Sequence, residues 1–318
     1  MEDIQRKSPQ YLVIDTRYEG QRLDNFLRTC LKGVPRTRIY RSVRRGEVRV
    51  NMGRIDEAYR LRLGDVVRVP PLRGAQQNRR PPVQQSLLKQ LQERVLYEDE
   101  RVLILNKPAG VAVHGGSGQS YGIIEAVRAL YPKNSYLELV HRLDRDTSGC
   151  LLIAKRRSAL RRLHEQLRGQ EIEKRYLALV RGRWRGGKRR IELGLRKNVL
   201  RSGERVVCAD KSGRQAITDL RPLAVNSVAS LVEAIPVTGR MHQIRYHAAA
   251  FGYPLAGDPK YGDRDFNQSM RTRGLKRLFL HAASIAYAGD KEQPLQVVAP
   301  LGEELCSVLH RIGLTYRA

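Results

Sequence analysis

The sequence predicts an α+β protein in two parts. A small unit of helices and short strands comes first, and a larger unit built on a mixed, largely antiparallel β-sheet with flanking helices follows. Three observations lead there. Up to about Pro70, two amphipathic stretches precede short alternating ones. From Pro71 the texture turns rich in Pro, Gln and Arg. Beyond Leu91, strand-like and helical runs mix without the regular rhythm of a doubly wound parallel sheet.

Residues 1–16 begin with the polar "MEDIQRKSPQ" and read as a tail. In "RLDNFLRTCL", Leu23, Phe26, Leu27, Cys30 and Leu31 fall at the spacing of one helix face. "TRIYRSVRRG" gives a second helix, with Ile39 and Val43 on one side and Gly46 as its stop. "EVRVN" alternates as a strand, "NMGR" is a turn, and "RLRLGDVVRVP" reads as two short strands about Gly64-Asp65. From Gln21 to Val69 this pattern resembles the S4 RNA-binding domain, and we place such a unit at 17–72. Arg36, Arg38, Arg41, Arg44 and Arg45 surround the second helix. They read either as a solvated face or, as the resemblance implies, as phosphate contacts.

The segment 73–90 buries too little apolar surface to offset its ordering entropy, and reads as a tether. The larger unit then spans 91–318. "RVLILNKPAGVAVHGG" supplies a buried strand over Val102–Leu105, a Lys-Pro turn and a second strand-like piece. "SALRRLHEQL" is a helix with Leu160, Leu163 and Leu167 inward, and "KRYLALVRG", "VVCAD" and "SLVEAIPVTGR" are strands.

Composition narrows the partners. Fifty-nine Lys and Arg against 32 Asp and Glu leave a net charge of +27, a field that attracts polyanions, nucleic acid foremost. The scattered Cys30, Cys150, Cys208 and Cys306 suit a reducing cytosol and fit neither a zinc ribbon nor a disulfide scaffold. Without a signal peptide or an apolar run of about 20 residues, a soluble cytoplasmic protein that does not enter a membrane is expected.

Three stretches are candidates for chemistry. "HRLDRDTSG", residues 141–149, sets Asp144 and Asp146 between arginines on a loop flanked by the apolar runs "YLELV" and "CLLIAK". Rigid neighbours and a loop position suit a catalytic carboxylate. The same residues also make an ordinary turn closed by Thr147 and Ser148. In "EKRYLALV", Tyr176 is either a core residue of a strand or part of a site. In "VTGRMHQIRYH", Gly239 allows an unusual turn, and Arg240, His242, Arg245 and His247 crowd behind it. That spacing does not match a helical HExxH metal site and lacks Cys or Glu ligands, so a phosphate-contacting patch is the better reading.

Taken in order behind an S4-like unit, "HRLDRDTSG", "KRYLALV" and "TGRMHQIR" closely resemble the ribosomal large-subunit pseudouridine synthases. "QRLDNFLRTCLKGVP", "LNKPAGVAVHGGSG", "RRSALRRLHEQL", "SGERVV" and "RLFLHAA" extend the likeness over nearly the whole chain. Met241 and Tyr246 stand where smaller or β-branched residues are expected. The resemblance implies a pseudouridine synthase fold and isomerisation of uridine within RNA: the glycosidic bond breaks, uracil turns, and C5 joins C1′. It makes Asp144 the essential carboxylate, acting either as nucleophile or as general base. Arg245 is then its ion-pair partner, holding both carboxylate oxygens with its planar fork. Tyr176 lies under the uracil, and Arg142 fills the stack that the extruded nucleotide vacates. Arg240 and His242 contact RNA.

No cofactor or metal is called for. The implied partner is 23S ribosomal RNA or its large-subunit precursor, including sites near the peptidyl-transferase region, and the implied working form is a monomer. Asp146 reads as a loop-stabilising charge and "HGGSG", residues 114–118, as a turn rather than a phosphate cradle. Two competitors are a non-catalytic ribosome-assembly factor and a metal-dependent nuclease using Asp144 and Asp146. The second needs more acidic ligands than this neighbourhood holds.

Overall fold

Two short helices and a three-stranded sheet form the first of two units, Met1–Pro81 and Pro82–Ala318. The computed structural model describes residues 8–31, 34–71, 83–115, 121–199, 204–289 and 293–316. The first unit runs β1 (Gln10–Val13), α1 (Leu23–Cys30), α2 (Arg36–Arg44), β2 (Arg49–Val50) and β3 (Val66–Val69), with antiparallel order β1-β3-β2. Leu23, Phe26 and Leu27 of α1 and Ile39 and Val43 of α2 fill its core, each at most 3% exposed. Gly46 stops α2 with φ +68°, and Asn51 and Met52 take positive φ in the expected turn.

Two readings of this unit need correction. Part of the expected tail over 1–16 is a strand: Gln10–Val13 pairs with Val69–Val66, and Ile14 behind it is buried. "RLRL" is not a strand. Arg60 makes one isolated bridge to Arg22, and Leu61 is held by the backbone of Gly20 and Gln21.

The second unit runs α3 (Gln85–Gln92), β4 (Val95–Glu98), β5 (Val102–Lys107), α4 (Ile123–Leu130), β6 (Glu138–Leu139), β7 (Ser148–Ala154) and α5 (Arg157–Arg168). It continues with β8 (Glu173–Arg181), β9 (Arg189–Val199), β10 (Arg205–Ala209), β11 (Arg214–Val225), β12 (Ala229–Pro236), α6 (Gln243–Ala250) and α7 (Arg264–Thr272). β13 (Leu280–Ala288), β14 (Pro294–Val298) and α8 (Glu303–Arg311) complete it. Among the described residues the strands form one sheet in the order β10-β9-β11-β12-β8-β13-β7-β5-β4, with β14 on β13 and β6 on β7. Every pairing is antiparallel except β7 with β13. The α+β class with a mixed, largely antiparallel sheet is therefore what the chain adopts.

Residues 85–90 of the expected tether are helical, because α3 docks Leu87 and Leu91 into the core that Leu103, Ile123 and Leu151 share. Residues 73–82 of that tether lie outside the described residues. The piece after the Lys-Pro turn, Val111–Val113, is irregular rather than a strand.

The parallel pair matters most for the site. β7 is buried along its length and meets β13 at Ser148–His281 and Gly149–Ala282. Gly149 takes φ +107°, and a Cβ there would run into the carbonyl of Ala282. Glycine is what lets the two strands close, and the loop of Asp144 leads directly into that junction.

Candidate active site

The loop between β6 and β7 carries Asp144 and is tied down on both sides. His141 Nε2 accepts the Leu152 amide at 3.1 Å, and the Thr147 amide donates to the Asp144 carbonyl at 3.2 Å. Beneath it lies Lys107, the last residue of β5, with no exposed surface. Its Nζ donates to the carbonyls of Pro108 (2.8 Å), Val111 (2.8 Å) and Arg145 (2.9 Å). Burial pulls this ammonium down to about 7, with Asp146 and Asp144 acting against it. Three carbonyls, each taking one N–H, favour the protonated form. Asp146 accepts from Arg145 Nε at 3.1 Å, so it belongs to the loop itself.

Above the loop opens a cavity of about 840 Å³. Asp144, Tyr176, Arg142, Arg240, His242 and Arg245 all line it, although they come from stretches far apart in the chain. Of the described residues around the cavity, seven are Lys or Arg and one, Asp144, is a carboxylate. Such a wall suits a polyanion that meets one acid at its floor. Arg142 is exposed and makes no ion pair among the described residues. Arg240 is steadied by its Nε on the Gln215 carbonyl at 3.1 Å.

Arg245 departs from expectation. Its Nη1 reaches Asp144 Oδ2 at 3.5 Å, but its fork is spent on another residue. Nε and Nη2 each bind Asp258 at 2.7 Å, and the side chains of Arg245 and Asp258 are 5% and 0% exposed. Burial opposes both charges, yet each partner outweighs it, raising the arginine pKa and lowering that of Asp258. Asp258 also accepts the amides of Lys260 and Tyr261. Arg245 thus reaches the Asp144 carboxylate through one nitrogen, from a mounting that Asp258 provides.

His242 precedes α6 with a left-handed φ of 52°, so the unusual turn lies here and not at Gly239. Gln243 ties this corner together, accepting from Thr238 Oγ1 and the Arg240 amide and donating to the Ile217 carbonyl. The His242 ring meets Tyr261 Oη through Nδ1 at 2.9 Å and faces Asp144 Oδ2 through Nε2 at 3.9 Å. Because Tyr261 Oη accepts the Val207 amide at 2.8 Å, its own proton is available for Nδ1. Nε2–H is then directed toward Asp144. Burial lowers the His242 pKa against the pull of Asp144. Tyr246 Oη accepts the Ala209 amide at 2.8 Å, so two tyrosines clasp the β9–β10 hairpin, whose Lys197, Asn198, Val199 and Arg205 wall the cavity. His247, in the same motif, turns away from the cavity into the core.

Tyr176 on β8 is 8% exposed. Burial, and then the charge of Asp144, hold its phenol above the ordinary value, so it offers a flat ring and a proton rather than a phenolate. On α2 of the first unit, Arg41, Arg44 and Arg45 are exposed and Arg38 half-buried. Arg44 approaches Glu57 at 4.0 Å and Arg45 approaches Glu47 at 3.9 Å. The side chain of Arg36 and residues 116–118 of the glycine-rich turn lie outside what is described.

Sequence reasoning missed Lys107, Lys174, Asp258 and Tyr261. "LNKP" and "GDPKYG" were the available signals for three of them, and Lys174 stands two residues before Tyr176.

Comparison with known proteins shows the family. RNA pseudouridylate synthase matches residues 101–250, and the S4 domain matches 21–67. A Haemophilus influenzae protein is 51% identical over 98% of this chain and 97% of its own length. One from Escherichia coli K12 is 48% identical over 96% and 97%. The chain belongs to the RNA pseudouridylate synthase family, enzymes that isomerise uridine in RNA. Both bacterial relatives bear one name, ribosomal large subunit pseudouridine synthase C. Among solved structures, human RNA pseudouridylate synthase domain containing 4 shares the fold, with a TM-score of 0.62 at 24% identity over 73% of this chain and 98% of that one. Human RNA pseudouridylate synthase domain containing 1 gives 0.56 at 25% identity over 69% and 85%.

Proposed function

We propose that this chain isomerises particular uridines of 23S ribosomal RNA, including sites near the peptidyl-transferase region, with Asp144 as the essential carboxylate. The single observation that carries the reading is that, among the described residues, one acid on a rigid loop stands with seven cations around one cavity. RNA is held at the rim by Arg142, Arg240 and their neighbours while the target nucleotide swings out, at a cost of a few kcal/mol. Arg142 enters the vacated stack. Uracil lies against Tyr176, and Asp144 meets the ribose at C1′ and C2′. Arg245 braces Asp144 through Nη1 at 3.5 Å, and His242 contacts the RNA beside it. Substrate and product contain the same atoms at the same oxidation level, so no electron carrier is called for.

The basic α2 of the S4 unit adds sequence-independent affinity through Arg36, Arg38, Arg41, Arg44 and Arg45. The enzyme works as a monomer in the cytoplasm. Among the described residues no helix is long and apolar enough to cross a membrane.

The test is to incubate the protein with unmodified 23S fragments in EDTA and map pseudouridine. Product at discrete uridines is expected. Binding without product would leave an assembly factor, and strand cleavage that EDTA abolishes would leave a nuclease.

A further inference from the structure

Lys174 stands two residues before Tyr176 on β8, so both side chains leave the same face of the strand and line the same cavity. Arg175 between them points the other way and holds two carboxylates, Glu173 at 2.6 Å and Glu233 at 3.5 Å. Lys174 holds none. Among the described residues its half-buried ammonium has neither an ion pair nor a hydrogen bond, and burial alone lowers its pKa. Asp144, the one carboxylate lining the cavity among the described residues, is engaged by Arg245 instead. His141, whose pKa the charge of Lys174 helps to lower, accepts an amide N–H through Nε2 and so stays neutral.

A partly desolvated cation without a counter-charge destabilises the free protein. That cost is offset when an anion enters the cavity. In an RNA substrate the uracil and ribose are neutral, and the anions nearest the reacting uridine are the phosphates on either side of it. We propose that Lys174 binds one of the two phosphates flanking the everted uridine and thereby sets how the nucleotide seats over Asp144. This rests on the RNA reading above and assigns a binding residue to the same site.

The test uses the full-length chain and a 23S fragment carrying one neutral methylphosphonate at either flanking position. On all-phosphate RNA, Lys174→Met is expected to lose roughly ten- to a hundredfold in single-turnover kcat/KM, as for a hydrogen bond to a charged group, and Lys174→Arg to recover most of it. At one of the two positions the methylphosphonate should slow the wild type by a similar factor and slow Lys174→Met no further. Without RNA, Lys174→Met should melt at or above the wild-type temperature. Losses that multiply at both positions, or a variant that melts lower or fails to fold, would overturn the assignment. A wild type that makes no pseudouridine on the all-phosphate fragment would remove the RNA reading and this inference with it.

Discussion

Arg245 gives two nitrogens to Asp258, both at 2.7 Å, and only Nη1 to Asp144, at 3.5 Å. A carboxylate gripped from both sides by a guanidinium is a poor base and a poor nucleophile. Here the buried partner takes the grip, and the Asp144 carboxylate still faces the cavity.

Asp258→Asn should therefore damage catalysis more than binding. Asn cannot accept both arms, and the arginine is left buried with a weakened partner. Single-turnover rates are expected to fall by about ten- to a hundredfold while RNA affinity, by filter binding, changes little. Unfolding stability should drop by roughly 3 kcal/mol, as for other broken buried pairs. Equal losses in rate and affinity would show that Asp258 serves the RNA surface instead.

Tyr246→Phe and Tyr261→Phe remove the hydroxyls that accept the Ala209 and Val207 amides. Each of these bonds is worth about 1 kcal/mol. Amide exchange at the freed position should accelerate by about fivefold, with the core strand β7 unchanged. Unaltered exchange on β10 would mean that the hairpin is held some other way.

Acid should destabilise the protein ahead of its carboxylates. Burial pushes His141, His247 and His281 down to about 4, against about 6.5 in an unfolded chain. Between those values the unfolded chain binds more protons, so stability is full above about pH 6.5 and drains away as the pH falls toward 4. For the fully buried His247 and His281 the loss is at most roughly 3 kcal/mol each. Among the described residues neither ring nitrogen of His247 has a hydrogen-bond partner, so His247→Leu should flatten urea-measured stability between pH 7 and 4.5. An unchanged slope would remove His247 from the set.

Changing Arg36, Arg38, Arg41, Arg44 and Arg45 to Gln should weaken RNA binding. The dependence of log K on log salt should flatten by up to about 0.7–0.9 for each phosphate that is no longer neutralised. The long, exposed pairs of Arg44 and Arg45 with glutamates add little stability, so melting should barely move. An unchanged salt slope would mark α2 as a solvated face.

That Asp144, Tyr176 and Arg245 would meet at one cavity followed from the resemblance their strings carry, since each string alone left an ordinary structural reading open. The S4-like helices were legible because their apolar stripes repeat at helical spacing. Asp258 was not, since "GDPKYG" reads as a surface turn and its burial is decided by the approach of α6. Lys107 and Lys174 carry no local mark of the carbonyls that one finds and the partners that the other lacks among the described residues. β1 hid in a four-residue alternation, too short to separate from a tail. In α3 the Gln-rich composition masked Leu87, Leu88 and Leu91, whose one-sided packing was therefore missed.

The most direct test is Asp144→Asn, assayed by single-turnover pseudouridine formation on a 23S fragment with RNA affinity measured beside it. The side chain keeps its size and loses its charge. Product should vanish while affinity stays near wild type, because one charge is small beside +27. Turnover close to wild type in that variant would contradict the assignment of Asp144 as the reacting acid.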